Sequence, residues 1–362
     1  MNKRLIMTFS VLLFAVFYRD FLAHAAALSQ RSQQICAVVT QTQVPGVAVA
    51  ILDKNSTEYV TCGMRDPAKH QPVTVNTVFE AASLSKVVFA FGVSHLVSSG
   101  KLDLDKPLAT YLPHGTRHDG DPFHHRRGTT EVNPELLRKI SVREILTHTS
   151  GLPNWMEDKP LVQTGQQGQW QYSGEGYLLL QRAVEEITGQ PLDKWIKNSV
   201  FGPLKMRHSS FVWETRFSAQ EAIGHNWSGN VQPAEHFPYP VAATTLYTTV
   251  QDYVIFVKAA FSDPLAYELF TRTEVPVDVP NSLYWGQGVA IEHSKDSDYF
   301  LHGGGNNGFK NYLWYSPQSR RGFVFFSNGD NGIKLTIPFV KMLVPPPQPA
   351  IDSDKIVPAR FR

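Results

Sequence analysis

Phe79-Glu80-Ala81-Ala82-Ser83-Leu84-Ser85-Lys86 marks the point where an extended segment gives way to a helix. Thr77-Val78-Phe79 is short and suited to a strand. From Ser83 to Ser98 the apolar residues Val87, Val88, Phe91 and Leu96 recur near helical spacing, and Gly100 closes the run. Residues three apart share a helix face, so Ser83 and Lys86 can touch. A serine hydroxyl is a poor nucleophile until a base takes its proton. A lysine becomes such a base when burial or neighbouring cations lower its pKa. A helix start also places positive dipole near developing negative charge. Alone, the S-x-x-K spacing is common, and its plain alternative is a surface helix turn.

Upstream, Ser29 to Thr40 reads as a helix. Val47-Ala48-Val49-Ala50-Ile51-Leu52 reads as a buried strand, Asp53-Lys54-Asn55-Ser56 as a polar turn, and Thr57 to Thr61 as the returning strand of a hairpin. Downstream the chain is loop-rich and helical. Ser141-Val142-Arg143-Glu144 is a capping box for a helix to about His148, and Thr249 to Asp252 opens another in the same manner. Gly176 to Thr188 is amphipathic and closed by Gly189, and Pro191 starts a helix through Asn198. The last third returns to strands: Gly286 to Glu292, Asp298 to His302, Lys310 to Tyr315 and Gly322 to Ser327. A helix from Ile333 to Leu343 follows. This order predicts an α/β protein of the α+β type, with a central antiparallel sheet built from both chain ends, flanking helices and an inserted, mostly helical lobe. The expected division is residues 28–82 with 235–345 for the sheet-containing lobe, 83–234 for the helical lobe and 346–362 for a Pro-rich tail.

Hydrophobic residues make up 42% and charged residues 18% of the 362, which suits a globular chain with a substantial core. Residues 1–25 have the layout of a secretory signal: Lys3 and Arg4, the apolar run Leu5 to Phe17, then Ala23-His24-Ala25. Export to a periplasmic or extracellular space is therefore expected, and an uncleaved signal is the one route to a membrane. The formal charge of +2 falls to zero once that segment is removed, so a nucleic-acid partner is not expected. Cys36 and Cys62 are the only cysteines. They could pair in an oxidising compartment, but spacing alone does not bring them together, and two separate buried thiols is the favoured reading.

Two further segments carry chemistry. Tyr172-Ser173-Gly174 lies in a loop just before a helix, where a tyrosine could share a proton with the lysine or protonate a leaving group. His302-Gly303-Gly304-Gly305 follows a strand, and its glycines let backbone approach a ligand closely. A backbone N–H there could join that of Ser83 in holding an oxyanion. By contrast, His114, His118, His124 and His125 with Asp119 and Asp121 lack rigid metal-ligand spacing and read as a solvated insertion. His148, within His-Thr-Ser-Gly-Leu, reads as part of a structural loop near the cleft. No metal and no cofactor is expected.

S-x-x-K, then Y-S-x, then H-G-G, in this order, resembles the serine β-lactamase and penicillin-binding protein superfamily, and in particular the class C β-lactamase-related group. That group includes D-Ala-D-Ala carboxypeptidases and esterases. Phe79 to Ser83, His148 to Leu152, Tyr177 to Leu180, Gly202 to Met206, Ala242 to Phe256 and Phe309 to Asn328 also resemble it. The resemblance spans about Val44 to Val344. It implies Ser83 as acylated nucleophile, Lys86 as the residue that orients it and relays its proton, and Tyr172 as general base and acid. Gly305 would supply the second oxyanion N–H. The substrate would be a small molecule or a peptidoglycan-derived peptide. Two positions depart from the pattern. Gly174 replaces the usual asparagine, whose amide would bond the lysine and the substrate. His302 replaces a lysine that would hold a substrate carboxylate. Both point away from an efficient β-lactamase and toward a peptidase, amidase or esterase. A non-hydrolytic peptidoglycan binder is the alternative, disfavoured because a binder has no need of Ser83, Lys86 and Tyr172 together.

Overall fold

The computed structural model describes residues 30–118, 122–124, 130–156, 160–356 and 358. The signal-like segment 1–25 lies outside them. Helix α1 covers residues 30–41. Strands β1 (Gly46–Asp53) and β2 (Ser56–Asp66) form the expected hairpin, followed by the short β3 (Gln71–Pro72) and β4 (Phe79–Glu80). Helix α2 (Ser85–Ser98) begins the helical middle of the chain. That region holds β5 (Arg117–His118), β6 (Thr130–Glu131), α3 (Pro134–Lys139), α4 (Val142–Leu146), α5 (Gly174–Thr188), α6 (Leu192–Ile196) and α7 (Gly202–Leu204). Next come β7 (Tyr247–Thr248), α8 (Val250–Ala260) and α9 (Pro264–Thr271). The closing strands are β8 (Val275–Asp278), β9 (Leu283–Trp285), β10 (Ala290–His293), β11 (Asp298–Asn306), β12 (Phe309–Ser316) and β13 (Arg321–Ser327). Helix α10 (Thr336–Leu343) follows them.

Nine strands form one antiparallel sheet in the order β3-β2-β1-β13-β12-β11-β10-β9-β8. The two chain ends join at β1 and β13, in register from Val47 opposite Ser327 to Asp53 opposite Arg321. Side chains alternate across a strand. On β1, Ala48, Ala50 and Leu52 face the α2 and α8 side, while Val47, Val49 and Ile51 face Ile35 and Val39 of α1 and Phe339 and Val340 of α10. On β13, Val324 and Phe326 take the first face, Phe323 and Phe325 the second. With both faces covered, β1 is apolar at every position from Val47 to Leu52 rather than at alternate ones.

Several elements differ from expectation. Of the expected strand Gly286 to Glu292, Ala290–Glu292 lies in β10, while Gly286 to Val289 forms the bend between β9 and β10. Gly286 N–H donates to Val289 O at 2.9 Å, and Gly288 has φ 102°. Pro191 to Asn198 is α6 continued by a π-helical turn, Lys197–Phe201. The final helix is a 3₁₀ turn, Asp330–Leu335, leading into α10. Cys36 and Cys62 form a disulfide with Cα atoms 5.4 Å apart, which corrects the reading of two thiols. Packing supplies the reason: the Ile35–Val39 face of α1 lies on the sheet and carries Cys36 over β2. The 346–362 segment is more than a tail. Ala350 is buried, and its N–H donates to Glu292 on β10 at 2.8 Å. Among the described residues no helix is long and apolar enough to cross a membrane.

Candidate active site

Ser83 lies on a 3₁₀ turn, Ala82–Leu84, between β4 and α2. Ala82 has φ 52°, a left-handed conformation that costs a non-glycine residue about 1–2 kcal/mol and sharpens the turn. Ser85 holds it in place: its Oγ donates to Ala82 O at 2.5 Å and accepts from Leu246 N at 3.0 Å. Helical spacing then places Lys86 Nζ 3.3 Å from Ser83 Oγ. Nζ also donates to Ala243 O at 2.8 Å and sits 4.8 Å from the Tyr172 ring centroid. Lys86 is fully buried, with no carboxylate paired to it among the described residues, and burial alone pushes its pKa well below the usual lysine value.

Tyr172 reaches the same spot from the far side. Ser173 caps α5, accepting from Gly176 N at 2.9 Å and donating to Pro153 O at 2.9 Å. The residue before the cap is thereby pinned at the mouth of the helix. The Tyr172 hydroxyl is buried beside Ser83. Burial raises its pKa, and Ser83 partly offsets the rise.

His302 begins the third segment on β11. Strand β10 pairs with β11 only as far as Leu301, which leaves the backbone edge of His302, Gly303, Gly304 and Gly305 uncovered by β10. Gly304 runs so close to the turn that carries Ser83 that a Cβ there would lie 2.4 Å from Ala81 O. Only glycine permits that approach. At Gly305 a Cβ would meet only the Lys310 side chain, at 3.5 Å, so neighbours do not require glycine there. His302 Nδ1–H donates to Gly303 O at 2.8 Å, which leaves Nε2 as a buried acceptor without a partner. Desolvation, then the Lys86 charge, lowers its pKa to about 3, against a smaller opposing effect of the Gly303 bond. The imidazole is neutral throughout the physiological range.

The fold thus brings Ser83, Lys86, Tyr172 and His302 together. It adds residues that sequence reasoning left aside. His148 has φ 57°, accepts from Ser173 N at Nδ1 (3.1 Å) and lays its ring 4.4 Å from that of Tyr172. Trp285 packs edge-on to His148 at 4.8 Å and to His302 at 5.3 Å. Burial, then the Lys86 charge, holds the His148 pKa well below normal. His148 therefore acts as a neutral plate behind Tyr172. The left-handed His148 is visible only in the backbone, and Trp285 carries no spacing signal.

Gly174 is tightly enclosed. A Cβ there would lie 2.7 Å from Asn154 O and 2.7 Å from the Trp155 ring. The histidine-rich segment is also not simply a solvated insertion. His118 is buried, and its Nε2 hydrogen-bonds Glu175 Oε2 at 3.0 Å, while Glu175 Oε1 accepts from Met156 N. That clamp helps to hold residues near 156 against α5. Asp119, Asp121 and His125 lie outside the described residues. Among the described residues no three His, Cys, Asp or Glu side chains gather as a metal site.

A family model described as Beta-lactamase matches residues 26–336. A protein of Bacillus subtilis (strain 168) named as a penicillin-binding protein, PbpX, is 23% identical over 322 residues, covering 84% of this chain and 76% of its own. Protein flp of Staphylococcus aureus (strain MRSA252) is 22% identical over 79% of this chain and 60% of its own length. Among solved structures, a class C beta-lactamase superposes with a TM-score of 0.72 at 20% identity, covering 88% of this chain and 98% of its own. D-amino acid amidase from Ochrobactrum anthropi SV3 superposes with a TM-score of 0.68 at 23% identity, covering 83% and 92%. At these identities the structures share the fold with this chain.

Proposed function

Since the chain belongs to the beta-lactamase family, we propose that it is an exported serine hydrolase that acylates Ser83 with an amide or ester lacking a carboxylate. The observation that carries this is the buried, unpaired Lys86 amine 3.3 Å from Ser83 Oγ. An uncharged amine is the form that can accept a proton. Ser83 Oγ attacks the acyl carbon, and its proton passes to the Lys86–Tyr172 unit. The Ser83 and Gly305 N–H groups hold the oxyanion. As the tetrahedral intermediate collapses, the bond to the leaving amine or alcohol breaks and the proton passes to it. Water, deprotonated by the same unit, then attacks the Ser83 ester and releases the acid.

The neutral His302 supports the choice of substrate. A lysine at this position would offer a substrate carboxylate a charged hydrogen bond of about 1.5–3 kcal/mol, or roughly 10- to 100-fold in rate. An imidazole with a pKa of about 3 offers none. Esters and amides without a carboxylate are therefore preferred over D-Ala-D-Ala peptides and β-lactams. The disulfide supports export, because such bonds persist in oxidising compartments.

The test is a panel of short-chain ester, amino acid amide, D-Ala-D-Ala peptide and nitrocefin, with mass spectrometry of a fluorophosphonate adduct. The expected result is an adduct that Ser83→Ala abolishes, and a kcat/KM at least about tenfold higher on the ester and the amide, which carry no carboxylate. No adduct, or nitrocefin turnover on the order of 100 per second, would sink the proposal. A second reading, a penicillin-binding protein that does not turn over, is favoured by Gly174 alone. Its mark would be an acyl adduct that forms and persists.

A further inference from the structure

A separate cavity of about 200 Å³ lies behind the strand that leads to the nucleophile. Its walls include Trp213, Tyr247 and Phe309, and its charged lining is Glu80 and Glu221. Glu80 sits on β4, opposite Tyr247 of β7. It is more than nine-tenths buried. One carboxyl oxygen, Oε2, accepts from Asn306 Nδ2 at 2.7 Å, and no lysine, arginine or histidine pairs with the carboxyl among the described residues. The carboxyl thus faces the aromatic walls of the cavity with no cation of its own.

We propose that this cavity binds a small organic ammonium ion, whose charge meets Glu80 and whose apolar body lies against Trp213, Tyr247 and Phe309. Aromatic walls around a carboxylate are the chemistry that recognises alkylammonium groups. Glu221 and Glu235 contribute further negative field at Glu80. Glu221 Oε1 is 2.6 Å from His236 Nε2, and His236 stacks on Trp213 at 3.9 Å, which fixes one wall. The cavity volume limits the guest to a few heavy atoms around the charged nitrogen, as in tetramethylammonium or choline.

The site has a pH signature. Desolvation first, then the Glu235 and Glu221 charges, raise the Glu80 pKa to about 8 against the Asn306 bond. The other groups around Glu80 are the Asn311 amide, which donates to Glu80 O, and Tyr247, held protonated by burial. Arg65 is turned to Glu221 O, at 3.3 Å. A cation must therefore displace the Glu80 proton. At pH 7 that releases about half a proton or more per cation bound, and apparent affinity rises roughly 10- to 100-fold from pH 6 to pH 8.

The experiment is calorimetric titration of the full chain with choline, and with 3,3-dimethylbutanol as its neutral isostere, in two buffers of different ionisation enthalpy. Saturable choline binding with a Kd of about 1 mM or tighter, release of about half a proton or more per cation, and weak binding of the isostere are expected. Glu80→Gln is expected to lose binding at least tenfold and to flatten the pH dependence, with circular dichroism confirming the fold. No saturation up to about 20 mM, equal binding of the isostere, or binding without proton release overturns the proposal. Because the proton count is read on the unsubstituted protein, the test stands even if Glu80→Gln does not fold. Ester kinetics at saturating choline then separate the two sources of such a cation. A rise in KM alone marks the ammonium as part of the acyl donor, and a change in kcat marks a separate effector.

Discussion

Gly174 offers the sharpest test of how packing limits chemistry at this site. Restoring the family's asparagine there is a natural route toward β-lactam hydrolysis, and the structure argues against its success. A Cβ at 174 would sit 2.7 Å from Asn154 O, and that carbonyl accepts from both Gly174 N and Glu175 N at 3.1 Å. The carbonyl cannot retreat without breaking the start of α5. The second obstacle is the Trp155 ring, at 2.7 Å, which also packs on Phe123 at 6.0 Å. Overpacking of this kind costs about 1–3 kcal/mol, and replacing a glycine at a helix start returns at most about 1 kcal/mol. Gly174→Asn should therefore destabilise by about 1–2 kcal/mol and lower Tm by about 1–3 °C in a chain of this length. Thermal denaturation and kcat/KM on an ester and on nitrocefin are the assays. Adding Trp155→Ala removes the ring but not the carbonyl, so it should recover only part of the loss. A Gly174→Asn protein as stable as the parent, hydrolysing nitrocefin faster, would refute the steric account.

Other outcomes follow from the same geometry. Tyr172→Phe should nearly abolish acylation by a fluorophosphonate while leaving the fold intact, and near-normal labelling would show that Tyr172 is misassigned. Lys86→Met should also abolish acylation. Because burial depresses the lysine pKa, the unfolded state binds more protons, so removing the amine should stabilise the fold at pH 7, with the gain shrinking toward pH 10 as measured by urea unfolding. Glu80 has the opposite sign. Its folded pKa of about 8 lies above the unfolded 4.5, so its contribution to stability is full below about pH 4.5 and is lost as pH rises through 8. Glu80→Gln, a mimic of the protonated acid, should be more stable than the parent at pH 8 to 9. Replacing Cys36 and Cys62 by serine should lower unfolding free energy by about 3–4 kcal/mol, read by chemical denaturation against the disulfide-bonded parent, and the reduced parent should match the double variant.

Local signals were enough for much of this molecule. The unbroken apolar run of β1, the capping box at Ser141 and the helical spacing of Ser83 and Lys86 are short-range patterns, and each appears in the fold as read. The antiparallel sheet joining both chain ends also followed from the order of elements. Where a reading failed, long-range contact was the cause. The β9–β10 bend reads as one apolar strand until Gly286 and Gly288 are seen to turn it. The cysteines lie 26 residues apart, and only the packing of α1 on the sheet brings them together. His118 looked solvated because its partner, Glu175, lies 57 residues away.

The sequence by itself determined that Ser83 and Lys86 meet, because one helical turn suffices to bring them into contact. Tertiary structure alone decided how strongly their surroundings shift the titrating groups of the site. Burial under Tyr172, Tyr177 and the 242–244 segment lowers the Lys86 pKa, and burial beside Trp285 keeps His302 neutral. Desolvation depends on what surrounds a group in space, and residue order along the chain does not carry it.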